Sequence, residues 1–420
     1  MNDDRRPTQA LPTGAESSLH GVRVIDMSRV LAGPWAAQLL ADLGADVIKL
    51  EHPLRGDDSR SWEPSFQSSK RPDLRQSAYF CAANRGKRSV TVDFGTTKGC
   101  DIVRQLARRS DVLIENYKVG TLARHGLSYA ALAAENPGLI YCSITGFGQT
   151  GPYNNRPGYD TIIQAMGGLM SLTGQPDSSP GGEPLRAGLP VIDLMTGIHA
   201  ALAITAALRH RERTGEGQHI DIGLLDVHVS ALSYFGMNYL ASGVLPQRTG
   251  NSNPVTFPSG TFLARDRRVV ILVGNDGQFR RFCEVVGSPS LSDDPRFCTS
   301  PNRVLHESSL RSLIEPLLVA RNAEHWIEAL EDVGVPCAPI NDLQAVFADP
   351  QVRAREGVRT LTHPVLGDMP ILANPVRMSA TPMRHITAPP TLGQDTDDVL
   401  CELLGMSADD ISGLRSDGTI

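Results

Sequence analysis

The stretch HGVRVIDMSRVLAGPWAAQLLADLGADVIKLE, residues 20–51, decides the fold. Residues 22–27 form a short run rich in β-branched side chains, which predicts a strand. Residues 35–43 carry apolar side chains at helical spacing, with Pro34 where a first helical turn tolerates proline. DVIKLE, 46–51, predicts the next strand. A strand, a helix and a strand in succession need a crossover connection, so the strands are parallel and the crossover right-handed. Working outward, the pattern repeats. RSVTVD (88–93), VLIEN (112–116) and LIYCSIT (139–145) predict strands, and 98–108 and 129–135 predict helices between them. The fold class is α/β, with an open, largely parallel, Rossmann-like sheet. Such sheets bind ligands beyond the carboxyl ends of their strands, and chemistry is expected there.

Further along, 160–172, 193–211 and 224–240 read as three helices. The Gly-, Pro- and Asn-rich stretch 243–260 reads as a loop. Residues 269–273 predict a strand, 278–286 and 310–319 amphipathic helices, 358–361 and 376–379 short strands, and the chain turns helical from Asp397. These patterns divide the chain into a flexible tail over 1–19, a large α/β domain over 20–224, a smaller α+β domain over 225–330 and a C-terminal part over 331–420.

Composition removes several classes of function. Apolar residues make up 41% and charged residues 20% of the 420, enough for a sizeable core and against intrinsic disorder. A formal charge of −6 argues against a protein that coats nucleic acid or an anionic membrane. The longest nearly apolar run, 194–208, is interrupted by Thr196, Gly197, His199 and Thr205 and falls short of the roughly 18 apolar residues of a membrane span. The first residues lack the apolar core of a secretion signal. Seven cysteines without a CxxC pair suit reduced thiols in a cytoplasm. GxxxxGK[ST], HExxH, GxSxG and metal-spaced His/Cys clusters are missing, which disfavours a P-loop enzyme, a serine hydrolase and a metal site, and the segment Ala32-Gly33-Pro34 after the first strand has one glycine where a pyrophosphate loop would want three, which disfavours a nicotinamide dehydrogenase.

A set of motifs in order narrows the reading: RVLAGP (29–34), LADLGADVIKLE (40–51), NRGKRSVTVD (84–93), ENYKVGTLARHGL (115–127), YCSITGFGQTGPY (141–153), RPGYD (156–160), GLPVIDLMTG (188–197), TGEGQHIDIGLLD (214–226) and LGQDTDDVL (392–400). From about residue 20 to the end the chain resembles the family III coenzyme A transferases, the formyl-CoA and carnitine CoA-transferase group. It is most similar to members that use dicarboxylates, of the succinyl-CoA:glutarate type. The resemblance implies a large domain completed by the C-terminal part, a small middle domain, and a homodimer whose subunits interlock like linked rings. It also implies a cytoplasmic enzyme with acyl-CoA and a small carboxylic acid as substrates and no permanently bound cofactor.

The resemblance makes Asp193 the nucleophile. On reference values a carboxylate is ionised at neutral pH and needs no general base. Its other use would be as an N-cap on the helix that follows. Tyr159 and Asp160 are the further catalytic candidates. A sister branch, the α-methylacyl-CoA racemases, has histidine where this chain has Tyr159, and a phenol is a poor base near pH 7. Racemisation is therefore the rival activity, and Tyr159 is expected to donate a hydrogen bond to a bound carbonyl or carboxylate. Guanidinium and ammonium groups suit the phosphates of coenzyme A. Arg85 and Lys87 are candidates on that ground. The resemblance adds Asn116, Tyr117 and Arg124 on the adenosine side, Val92 beside them, and Arg29, Val30, Leu31 and Ala32 as the loop over the thioester. Leu31 stands where formyl-CoA transferases carry glutamine, which argues against formyl or oxalate specificity, and GNSNPVTFPSG (250–260) is no clean copy of their Gly-rich loop. Arg29, Arg60, Arg156, Arg248 and Arg303 are the candidates for a second carboxylate. His52, His125 and His219 are isolated and read as bland surface or core residues.

Overall fold

A computed structural model describes residues 17–68, 74–383 and 387–420, so most of the expected tail over 1–19 lies outside the described residues. The chain forms two compact units. The first takes the described residues up to Gly167, then Gly188–Ser233 and Ala354–Ile420; the second takes Gly168–Ala187 and Tyr234–Arg353. On sequence grounds 168–187 and 331–353 belong with the large domain, but they fold with the second unit instead.

The first unit is built on six parallel strands: β1 (Arg23–Asp26), β2 (Asp46–Glu51), β3 (Lys87–Thr91), β4 (Val112–Glu115), β5 (Ile140–Thr145) and β6 (His219–Gly223). Their spatial order is β3-β2-β1-β4-β5-β6, so the winding direction reverses between β1 and β4. Alternate side chains serve opposite faces. Val24, Val47, Val112 and Ile140 pack on one face, against helices α1 (Ala32–Asp42) and α4 (Val191–Thr214). Ile25, Ile48, Leu113 and Tyr141 pack on the other, against α2 (Thr97–Arg108). Val399, Leu400 and Ile411, from the C-terminal helices Thr396–Leu404 and Ala408–Ser416, complete that second face. The end of the chain also ties to the sheet edge, where the backbone N–H groups of Ser89 and Asp395 bond the Asp395 carboxylate and the Ser89 carbonyl respectively.

Several elements differ from expectation. The run 160–172 is two helices, α3 (Asp160–Met166) and Leu169–Leu172, parted at Gly168, whose φ of 98° is open to glycine and costly for other residues. The run 224–240 likewise breaks, at Ser233 (φ 49°), into Leu224–Ala231 and Ser233–Ser242. Residues 376–379 form no strand; Val358–His363 pairs with Gly367–Leu372 instead. The helix α4 begins two residues before its expected start and is, by length and composition, apolar enough to cross a membrane. One of its faces packs on α1 within the core, which accounts for part of that apolar character.

The second unit carries a three-stranded antiparallel sheet made of β7 (Ser259–Leu263), β8 (Arg268–Leu272) and β9 (Cys337–Pro339). Its core is phenylalanine-rich, with Phe257, Phe262, Phe279, Phe282 and Phe297 fully or almost fully buried. The strand β7 was hidden from sequence analysis because its first residues close the Gly/Pro-rich stretch. Arg303 is wholly buried here and bonded to Asp276 and to the Phe257 and Phe297 carbonyls.

Candidate active site

The reversal between β1 and β4 opens a crevice at the carboxyl ends of the strands, as expected for an open α/β sheet. Its edges are stitched together. The Asn116 amide, just past β4, accepts the Arg29 N–H (2.9 Å) and donates to the Arg29 carbonyl (2.8 Å), just past β1. The next residue, Val30, has φ 71°, a left-handed conformation that a β-branched residue adopts only under constraint. The constraint is Asp57, whose two carboxylate oxygens accept the Val30 N–H at 3.1 and 3.2 Å. Asp57 is in turn held by the buried Lys49 ammonium at 2.9 Å. Burial alone would raise the Asp57 carboxyl, but Lys49 and the Ser59 donors outweigh it and hold it well below the usual range.

Two adjoining clefts fill the crevice. One, of about 410 Å³, is lined by Arg29, Val30, Leu31, Ala32, Asn116, Tyr117, Tyr159 and Asp193, with Lys118, Thr145 and Arg156. The other, of about 360 Å³, lies over β2 and β3 and includes Val92, Lys49 and Asp57. Arg29, Asp58 and Tyr117 belong to both, and the Arg29 guanidinium bonds Asp58 at 3.0 Å.

Asp193 is the third residue of α4, whose N-cap position is Pro190, so Asp193 does not cap its own helix. Asp160 does that work from the first turn of α3. Its Oδ2 accepts the backbone N–H of Ile192 (2.8 Å) and of Asp193 (3.1 Å), and its Oδ1 accepts from the Gln164 amide. Asp160 is 8% exposed and stands behind the cleft wall. Burial first, and then the negative charge of Asp160, push the Asp193 carboxyl up to about 7. Both effects oppose the ionisation that reference values give an ordinary carboxylate at neutral pH. Tyr159 is 71% exposed on the cleft, at the N-cap position of α3. The segment reaches the cleft because two glycines cross. A Cβ on Gly158 would lie 2.5 Å from the Gly146 Cα, just past β5.

Three expected coenzyme-binding residues are placed elsewhere. Arg85 is 3% exposed and holds Asp42 (Nε to Oδ1 2.9 Å) and the Leu372 carbonyl. Lys87 is buried among Asp26, Asn84 and the Pro34 carbonyl, each 2.8–2.9 Å away. Both are corrected from phosphate ligands to internal braces, since a buried charge is retained only where its partners are built in. Arg124 is exposed and lines neither cleft. Sequence analysis also passed over Lys49, Asp57 and Glu115. Burial pushes Glu115 up to about 7, and its carboxyl accepts the Tyr117 N–H at 2.8 Å. The available signal was a lysine and a glutamate inside DVIKLE, since parallel strands covered on both faces are ordinarily apolar.

Comparison with known proteins agrees with this geometry. The sequence model of CoA-transferase family III matches residues 19–396. A succinate–glutarate CoA-transferase of Agrobacterium fabrum is 48% identical over 386 residues, 92% of this chain and 95% of the relative. A succinyl-CoA:glutarate CoA-transferase of Mus musculus is 40% identical over 96% of this chain and 90% of its own. Among solved structures, a CAIB/BAIF family protein from Brucella suis superposes with a TM-score of 0.84 at 43% identity, over 92% of this chain and all of that one. A parallel sheet with its crevice at the winding reversal, a carboxylate at a helix start on that crevice, and a match along nearly the whole chain lead to one conclusion: this protein belongs to CoA-transferase family III and is a CoA-transferase.

Proposed function

We propose that this CoA-transferase moves coenzyme A from succinyl-CoA to a small dicarboxylic acid of the glutarate type, with Asp193 as covalent nucleophile. The observation that carries the reading is the Asp193 carboxyl on the wall of a 410 Å³ cleft, raised to about 7 and therefore a stronger nucleophile once ionised than an ordinary carboxylate. The names of the relatives supply the substrate class. An Asp193 oxygen attacks the thioester carbonyl, the C–S bond breaks, and an acyl–aspartyl anhydride and CoA thiolate result. The thiolate attacks the aspartyl carbonyl, giving aspartyl-CoA and free succinate. The acceptor carboxylate repeats the two steps in reverse and leaves as the new thioester, with Asp193 regenerated. Tyr159, exposed on the cleft, donates to the substrate oxygen; Arg29–Ala32 cover the thioester end; Asn116, Tyr117 and Val92 line the path of the coenzyme. Arg124, exposed on the short helix Thr121–Arg124 but lining neither cleft, is left out of the proposed site. Thr145 Oγ1 is buried on the cleft without a hydrogen-bond partner among the described residues, which suits a bound acyl group with a polar atom to share.

An interlocked homodimer is part of the proposal. Ile198 and Leu202 on α4 are 53% and 67% exposed, and Val229 on the helix Leu224–Ala231 is 54% exposed. Apolar side chains of that size grouped on helices mark surfaces that a second subunit covers.

The test is to incubate the protein with succinyl-CoA, add hydroxylamine and map the product by mass spectrometry. A hydroxamate on Asp193 is the expected result; modification at another carboxylate, or at none, removes the mechanism.

A further inference from the structure

We infer that Arg156 is the residue that selects a dicarboxylate, by pairing with the carboxylate at the far end of the acyl chain from the reacting one. The inference rests on the proposed transfer at Asp193 and goes beyond it. Of the five arginines that sequence analysis left unranked, four are already engaged. Arg60 grips Glu51 with two nitrogens and stacks on Phe80. Arg303 is sealed in the second unit against Asp276. Arg248 pairs with Asp177, also in the second unit. Arg29 holds Asp58 and lies over the Tyr117 ring.

Arg156 has no carboxylate partner among the described residues and lines the same cleft as Asp193. Its guanidinium carbon sits 3.9 Å from the centre of the Tyr153 ring, and that ring is braced edge-on by Phe147. A guanidinium held over an aromatic face leaves N–H groups free for a planar acceptor, and a carboxylate can take two parallel hydrogen bonds from them. The backbone is set as well. The Arg156 N–H donates to the Tyr153 carbonyl at 2.8 Å, and the crossing of Gly146 and Gly158 fixes the strand of chain that leads on to Asp160. One short segment thus places both the selecting cation and the carboxylate that caps the nucleophile's helix. Lys118, the other cation on the cleft without a carboxylate partner among the described residues, is exposed as Arg156 is, but no aromatic ring among those residues lies under its flexible stem to pre-orient it.

The experiment compares wild type, Arg156→Gln, Arg156→Lys and Lys118→Gln. Each is assayed with glutarate and with pentanoate as acceptors, and by hydroxylamine trapping with succinyl-CoA. Arg156→Gln is expected to raise KM for glutarate so that its kcat/KM falls about ten- to a hundredfold more than that for pentanoate, with Arg156→Lys recovering part of the loss. An unchanged glutarate-to-pentanoate ratio in Arg156→Gln, or the loss appearing in Lys118→Gln instead, overturns the inference. A uniform rise in KM for every CoA donor with the ratio intact overturns it too, because Arg156 would then serve the coenzyme. A wild type that yields no adduct on Asp193 refutes the parent reading, a separate outcome from the failure of Arg156.

Discussion

Replacing Asp193 by asparagine is expected to stabilise the protein above neutral pH while abolishing transfer. The magnitude follows from the carboxyl's displacement from its ordinary 3.8 to about 7. Between those pH values the folded chain keeps a proton that the unfolded chain has released. The stability this confers is fully present below about pH 4, is lost as pH rises through 7, and is gone by about pH 8. Each tenfold preference is worth about 1.4 kcal/mol, so the full displacement sets a ceiling of about 4 kcal/mol. Asp193 is partly open to solvent, and a difference on the order of 2–3 kcal/mol is expected. Asparagine carries no charge at any pH, so the variant's advantage is near zero at pH 4 and grows to its full size by pH 8. Urea unfolding of both proteins at pH 4.5, 6 and 8 measures it. A constant offset across that range, or a wild type that gains stability from pH 4 to pH 8 relative to the variant, refutes the account of a carboxylate destabilised by its surroundings. The same destabilisation is what makes the ionised group reactive, so stability and activity are expected to move in opposite directions at this one position.

Two further outcomes follow from the same region. Asp160→Asn keeps an oxygen for the Ile192 and Asp193 N–H groups but removes the charge beside Asp193, so the acid limb of the rate profile is expected to move down by about one pH unit; an unmoved limb would leave Asp160 a helix cap and nothing more. Gly158→Ala places a Cβ 2.5 Å from the Gly146 Cα, backbone that has nowhere to retreat, and is expected to lower the unfolding free energy by about 1–3 kcal/mol and kcat with it, checked by thermal unfolding and steady-state assay.

Much of the sheet was legible in the chain because its signals are local. The alternation of apolar runs gave five of the six parallel strands, with DVIKLE matching β2 residue for residue; β6 was missed, since His219, Ile220 and Asp221 lie at an exposed sheet edge with little apolar pattern. The motif GLPVIDLMTG put Asp193 at a helix start, where the structure has it. Periodicity could not show where a helix stops when one residue in the left-handed region breaks it, as at Ser233, or to which unit 168–187 belongs.

The fate of the charged side chains was decided by tertiary structure alone. Arg85 and Lys87 read as ligands for the coenzyme phosphates, but Asp42 and Asp26, 43 and 61 residues earlier, turn them into buried braces. Arg156 is one more arginine in sequence, yet no carboxylate among the described residues reaches it and it stays on the cleft. The order of residues determined a parallel α/β sheet and an aspartate at the start of a helix, because backbone preference and apolar spacing act over a few neighbours. Which carboxylate caps, which is raised to about 7, and which cation remains free depend on groups brought together from distant parts of the chain. Burial and Coulomb interaction act on distance in space, and only the folded chain sets that distance.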